Sequence, residues 1–499
     1  MNGNNQLILV RLGIDTHHEF VVYMNVDCYV CKLEGFEAQT QIVVSLNGRS
    51  IVASLNVIHT NILGTHEASL SEDAWTSLGA KAGDIVQLSH LPPVISHRYV
   101  RSKIHGNAIS PYEFDVIITD MVDGKYTNAH IASFITACAH DNLSINEIIS
   151  LTKSMIKSGE QLKWNQPIIV DKHSVGGIPG NRTTPIVVPI VAAAGLTIPK
   201  TSSRSITSPA GTADTVETFT NVTLSIEKMR EVVAKENGCM VWGGTLKLSP
   251  ADDIIIRVER LLDLDPEGQM IASVLSKKAA VGATHVVIDI PVGPSAKIRS
   301  DQAFLKLKEY FVIVGKAIGI HVDVVRSNGD QPVGTGIGPS LEAKDILAVL
   351  NNDPLAPEDL RTKAILLAGR ILEFSDIIPF GKGETIATNL LENGMALKKF
   401  MAICNAQGGF QQPTTAAYQY DVLASYAGTV TIIDNRSLAK VAKLAGAPHD
   451  RAAGIEFFAK LGSYVQKDQL LYRIHAESQG ALNYALAYIQ MMPNIIIIS

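Results

Sequence analysis

Asp171-Lys172-His173-Ser174-Val175-Gly176-Gly177 packs a lysine, a histidine, a hydroxyl and two glycines into seven residues. The segment follows a short apolar run, Pro167-Ile168-Ile169-Val170, read as a buried strand, and precedes an apolar stretch from Pro185 to Gly195, read as a buried helix. Between them Gly176, Gly177 and Gly180 would let backbone N–H groups approach an anion, with the helix N-terminus adding favourable dipole. Lys172 supplies a point charge, and Ser174, Thr183 and Thr184 supply hydroxyls. The spacing is neither GxxxxGK[ST] nor GxGxxG, so the anion is not expected to be held as in a Walker or dinucleotide site. An ordinary glycine turn with incidental hydroxyls is the competing reading.

A second polar segment runs from Ser202 to Glu217, SSRSITSPAGTADTVE. Its first eleven residues hold six hydroxyls and Arg204 and end in Gly211-Thr212, a surface crowded with donors. Further on, Ser273 and Lys277 lie four apart on an expected helix and therefore on one face. Asp265 precedes Pro266 at the start of that helix, which reads as an N-cap with proline at the first helical position. Lys297 follows the strand-like run Val286–Ile290 and reads equally well as an anion contact or a solvated lysine. The stretch Ser327–Gly338 contains three glycines at alternate positions, but no acidic partner follows at dinucleotide spacing, and it reads as a loop near the cleft.

Together the two polar segments resemble the thymidine phosphorylase family, whose signature is S-[GS]-R-x-[LIV]-x-x-x-[GA]-G-T-x-D-x-[LIV]-E. Ser202 to Glu217 agrees at its Ser, Arg, Gly-Thr, Asp and Glu positions, and DKHS-x-GG agrees with the family's phosphate loop. The resemblance runs from about Val100 to the C-terminus. The added N-terminal region is similar to the long branch of the family, which includes AMP phosphorylases. The resemblance implies phosphate ligands at Lys172, Ser174, Thr184, Ser202 and Thr212, with the Thr184 assignment crossing a turn one residue longer than in the short branch. It further implies substrate contacts at Gly177, Ser203, Arg204, Ser208, Ser273, Lys277 and Lys297, and catalytic roles for His173 and Asp265. By this reading Asp265 protonates the departing base and His173 touches it, while a structural loop histidine remains the alternative at 173. A base-contacting arginine of the short branch has no counterpart: Val258 or Glu259 stands there, flanked by Arg257 and Arg260.

The implied activity is reversible phosphorolysis of a nucleoside, thymidine by the family's name, to free base and a (deoxy)ribose 1-phosphate. A nucleoside 5′-monophosphate is the alternative substrate, giving ribose 1,5-bisphosphate, with Lys297 reaching the 5′-phosphate. A more distant alternative is an anthranilate-type phosphoribosyltransferase, which would need Mg²⁺ and pyrophosphate. A nucleotide-binding protein without catalysis is the third. Inorganic phosphate is a substrate, and no cofactor or metal is expected.

Residues of these types must be positioned by several domains, because single cores stop growing near ~250–300 residues and the chain has 499. Apolar residues make up 46% and charged ones 18%, a globular composition. The expected fold class is multi-domain α/β. Residues 1–93 read as a β-rich domain of short strands (7–12, 19–23, 41–46, 51–57, 84–88). A helical domain follows over 95–162, opened by the capping boxes Ser110–Glu113 and Ser144–Glu147 and joined by residues 252–283, inserted from the α/β part. The α/β sheet domain covers 165–410 and carries the phosphate loops, and a C-terminal α+β domain covers 412–499. A net charge of −5 without a basic block argues against a nucleic-acid polymer or a membrane surface as partner. Cys28 and Cys31 form a lone CxxC inside a strand-like run (20–32), read as two apolar strand residues, with zinc or redox roles as alternatives. The other three cysteines are isolated, and with no signal peptide or spanning run the expected location is cytoplasmic. The family resemblance implies a homodimer or larger homo-oligomer.

Overall fold

The computed structural model describes residues 5–16, 19–205, 208–246, 248–264 and 266–499, with backbone alone at Asp141 and Thr245. The chain forms two compact units, Met1–Ser158 with Pro250–Gln269, and Gly159–Ser249 with Met270–Ser499. The insertion expected over 252–283 is thus divided, with its residues from Met270 onward in the second unit.

The first unit opens with a closed six-stranded barrel, in the order Gln6–Leu9, Glu67–Leu70, Val21–Asn25, Arg49–Ile58, Gln41–Leu46, Ile85–His90. Gln41–Leu46 alternates buried and half-buried residues as a one-sided strand should. Asn47-Gly48, both at positive φ, turns it into the antiparallel Arg49–Ile58. The run expected as one strand over 20–32 is not one. Asn25 Oδ1 accepts from the Asp27 amide at 2.8 Å, a local turn that ends the strand. The chain then enters a short helix, Tyr29–Glu34, with Cys28 at its N-cap and both cysteines buried. The strand Glu67–Leu70 and the helix Glu72–Leu78 were not anticipated. The former is only four residues long, and its parallel pairing with Gln6–Leu9 leaves no hairpin signal. Helices His97–Ile104, Pro111–Val122, Asn128–Ala137 and Ile145–Lys157 follow. The Ser110–Glu113 and Ser144–Glu147 capping boxes are present, each serine accepting from the glutamate's amide.

The second unit is built on parallel strands. His321–Asn328, His285–Val292 and Val170–Ser174 form one sheet, and Ile198–Ser202 pairs with Gly238–Trp242. A parallel bridge between Ile169 and Thr197 links the two. Thr184–Ala193 is a helix with every residue through Ala192 buried, as its unbroken apolar run requires. It packs in a core with Phe219, Ile346, Leu367 and Phe400. A further antiparallel sheet contains Tyr418–Leu423, Leu470–Ala476, Gly454–Phe457 and the short Gly336–Ile337, covered by helices Asn435–Leu444 and Gln479–Met491. Gly336–Ile337 belongs to the glycine stretch read as a loop. Asp345 accepts from the Thr335 and Gly336 amides at 2.7 Å each, which fixes that stretch in place. Among the described residues no helix is long and apolar enough to cross a membrane.

Candidate active site

Asp171 to Ser174 form the strand itself rather than the loop after it, so their side chains alternate across the sheet. Asp171 and Lys172 are nevertheless both buried, at 0% and 2% exposure. Asp171 accepts from Lys200 Nζ at 3.0 Å and from Lys278 Nζ at 2.7 Å. Lys200 also donates to the Lys172 carbonyl at 2.6 Å, tying the neighbouring strand to this one. Burial pushes the Asp171 carboxyl up, but the two lysines override it and hold the group below the ordinary aspartate range. Burial pushes Lys278 down to about 7 against the pull of Asp171.

On the other face, Lys172 Nζ donates to Thr183 Oγ1 at 2.7 Å. Burial pushes this lysine down to about 7; Asp289 opposes the shift, and Lys363, Lys200 and Arg182 add to it. Ser174 Oγ donates to Asp289 Oδ2 at 2.8 Å, with the two residues in register on adjacent parallel strands. Asp289, fully buried, also pairs with Lys363 at 3.0 Å. His173 is half-buried, and burial together with Lys278, Lys200, Lys277 and Lys172 keeps its imidazole neutral, well below the usual histidine range. Lys277 is therefore within electrostatic reach of His173, and Ser273 lies one turn before it on the helix Glu267–Ala280.

The turn after the strand depends on two glycines. Gly176 has φ +84°, and a Cβ there would stand 2.9 Å from Cβ of Lys297, which brings Lys297 against the backbone of this turn. Gly180 has φ +71°, and its Cβ would stand 2.1 Å from the Val333 carbonyl. Thr183 then occupies the N-cap of the Thr184–Ala193 helix and Thr184 its first position, both buried.

The second segment comes up to the first: a Cβ on Gly177 would lie 3.5 Å from Cβ of Ser208. Ser202 ends the strand Ile198–Ser202 and donates to the Val241 carbonyl at 3.2 Å. Ser203 is exposed, Ser208 Oγ donates to the Ala210 carbonyl, and Thr212 opens the short helix Thr212–Val216. Arg204 is engaged within the protein. Its guanidinium makes two bonds to Glu217, at 2.7 and 2.8 Å, one to Asp214 at 3.2 Å, and stacks 4.6 Å from the Trp242 ring. Asp214 in turn accepts from the Ser205 and Gly211 amides, so this arginine shapes the loop. Asp265 lies outside the described residues, as do Ile206 and Thr207 of the second segment.

Sequence reasoning did not single out Lys200, Lys278, Asp289, Lys363 or Glu342. Asp289 carried a signal, since a charged residue inside an apolar parallel strand is nearly always paired. The lysines carried none, because their spacing to Asp171 exists only in three dimensions. Lys172, Lys200, Lys278, Lys363 and Arg182 converge here on Asp171, Asp289 and Glu342. Among the described residues these five basic side chains outnumber the three carboxylates, and Lys172 and Lys278, both near 7, can take up further protons, an environment beneath two hydroxyl-rich loops fit for a dianion.

Residues 166–303 match the glycosyl transferase family a/b domain, 97–159 its helical bundle domain, and 429–495 the pyrimidine nucleoside phosphorylase C-terminal domain. A Legionella pneumophila (strain Paris) protein is 55% identical over 492 residues, covering 99% of this chain and 95% of its own. The chain belongs to the thymidine/pyrimidine nucleoside phosphorylase family. A Hahella chejuensis member is 49% identical over 490 residues, 98% of this chain and 97% of its own, and both relatives bear the name "Putative thymidine phosphorylase". As a member of this family the protein is a pentosyltransferase. Among solved structures, anthranilate phosphoribosyltransferase from Thermus thermophilus superposes with a TM-score of 0.52 over 62% of this chain and 98% of its own. At 17% identity that likeness is one of fold.

Proposed function

We propose that the protein catalyses reversible phosphorolysis of a nucleoside, with thymidine the first candidate, giving free base and a (deoxy)ribose 1-phosphate. The buried excess of positive charge under the two loops carries this reading. Lys172, Ser174, Thr184, Ser202 and Thr212 hold phosphate, with Gly177, Ser203 and Ser208 lining the same opening. Ser174 must then turn its hydroxyl from Asp289 to the anion, and Lys172 must share its ammonium between Thr183 and the anion. Arg204 acts by positioning the second loop.

The chemistry asks for positioning and electrostatics more than covalent participation. Phosphate stands under C1′ while the C1′–N bond lengthens, and its negative charge stabilises the oxocarbenium-like sugar. Neutral His173, with Ser273 and Lys277, faces the base, whose developing negative charge a donor must meet; Asp265 is the proposed proton source. Phosphate is the co-substrate, and these steps call on no further cofactor.

A nucleoside 5′-monophosphate is the second reading. It is favoured by Lys297, whose Cβ stands against Gly176 of the first loop, within reach of a 5′-phosphate. Released base is measured after incubation with phosphate and thymidine, uridine, AMP, CMP or UMP in EDTA. Base from a nucleoside upholds the first reading and base from a monophosphate alone the second. No base from any of them would sink both.

A further inference from the structure

Arg182 stands between the two hydroxyl-rich loops without belonging to either set of proposed ligands. Its Nε donates to Glu342 Oε2 at 2.6 Å, and its Nη2 donates to Glu342 Oε1 at 3.3 Å and to the Ala210 carbonyl at 2.7 Å. Glu342, on the helix Pro339–Leu350 and 1% exposed, also accepts from Thr215 Oγ1 at 2.8 Å. Arg182 directly precedes Thr183 and Thr184. Ala210 and Thr215 bracket Thr212.

We infer that the Arg182–Glu342 pair is a positioning clasp that sets the separation of the two phosphate loops and so tunes phosphate affinity. The inference rests on the phosphate cradle proposed above and adds residues that touch no substrate atom. A guanidinium fork bonding a carboxylate through two nitrogens is planar and stiff, unlike a lysine contact. Here the same fork also bonds the backbone two residues before Thr212, so the first loop cannot shift without dragging the second. Glu342 supplies the fixed third point, because its helix is buried and its second contact is again to the second loop. The pair further leaves the positive excess at the site unchanged, since its two charges cancel. Its effect on the anion is therefore geometric.

The test measures affinity for inorganic phosphate by calorimetry and, separately, KM for phosphate, KM for nucleoside and kcat. Arg182→Lys keeps the charge and loses the fork, and Thr215→Val removes one contact to Glu342 and leaves the ion pair intact. In proteins whose circular dichroism matches wild type, Arg182→Lys should weaken phosphate about tenfold or more and Thr215→Val about threefold. In both, kcat and nucleoside KM should stay within about twofold of wild type. Phosphate affinity unchanged in both folded variants would overturn the clasp. So would a parallel decline of all three kinetic parameters with melting temperature, the mark of a merely structural pair. Weakened phosphate binding in the variants, with no base released by wild type, would uphold the clasp and defeat the phosphorylase reading instead.

Discussion

Anion capture at this site should be coupled to proton uptake, and the coupling can be sized from the structure. Lys172 is 2% exposed, and burial has pushed it down to about 7 in the unliganded protein. A dianion beside the ammonium restores the charged form, so binding requires a proton on Lys172 that the free site progressively lacks above pH 7. Well above the pKa each pH unit costs about 1.4 kcal/mol of binding, and with half the lysine already deprotonated at pH 7 affinity should fall roughly 50-fold between pH 7 and 9 for one linked proton. Lys278, also at about 7, pairs with Asp171 a few ångströms away and steepens the slope toward two protons. Sulfate is the probe of choice because it remains a dianion throughout this range. Calorimetry at pH 7, 8 and 9, in buffers of different ionisation enthalpy, reads both the affinity and the protons taken up. Lys172→Met should bind sulfate weakly at pH 7 and lose about one proton from the linkage. A sulfate affinity that stays flat from pH 7 to 9 in wild type would refute the reasoning.

Asp171→Asn leaves two buried ammoniums without their counter-charge and should cost about 3–5 kcal/mol in urea unfolding at pH 6. Lys278, held below its unfolded value, binds fewer protons folded than unfolded, so stability rises with pH from its folded pKa toward about 10. The variant, with Lys278 lowered further, should gain more on that climb, and its deficit should shrink by pH 9. Gly180→Ala places a Cβ 2.1 Å from the Val333 carbonyl at φ +71° and should lose about 3 kcal/mol or more. Gly177→Ala, 3.5 Å from Ser208 Cβ, should lose less than about 1 kcal/mol, and thermal melts of the pair decide the contrast.

Elements with a local cause were readable in the sequence. The Ser110 and Ser144 caps, the strand over 41–46 and the apolar helix before Gly195 each follow from residues within a few positions of one another. The barrel's closure was not readable, because Glu67–Leu70 pairs in parallel with Gln6–Leu9 some sixty residues away. The same divide runs through the site. Lys172, Ser174 and Thr212 stood out because they sit in dense polar segments. Lys200 and Lys278 looked like any other lysines until the fold placed both on Asp171. Arg204 is the instructive case: the family resemblance implies a substrate contact there, and in the fold Glu217, Asp214 and Trp242 engage its guanidinium. Local sequence marks the loop but does not say which of its side chains face inward.

The buried lysines also bear on why phosphate would react here. A dianion held only by exposed lysines would keep much of its hydration and lose little by leaving. Beneath these loops the cations are desolvated, and two of them sit near pH 7 at the edge of neutrality. The anion then provides their missing counter-charge, which draws it in, while Asp171, Asp289 and Glu342 offset part of the surrounding positive charge. A larger excess would bind phosphate more tightly but repel the cationic character that develops at C1′. Under the proposed phosphorolysis a bound phosphate whose charge is only partly offset keeps negative charge on the oxygens nearest the sugar, and that charge would stabilise an oxocarbenium ion better than the neutral nucleoside, which is what catalysis requires.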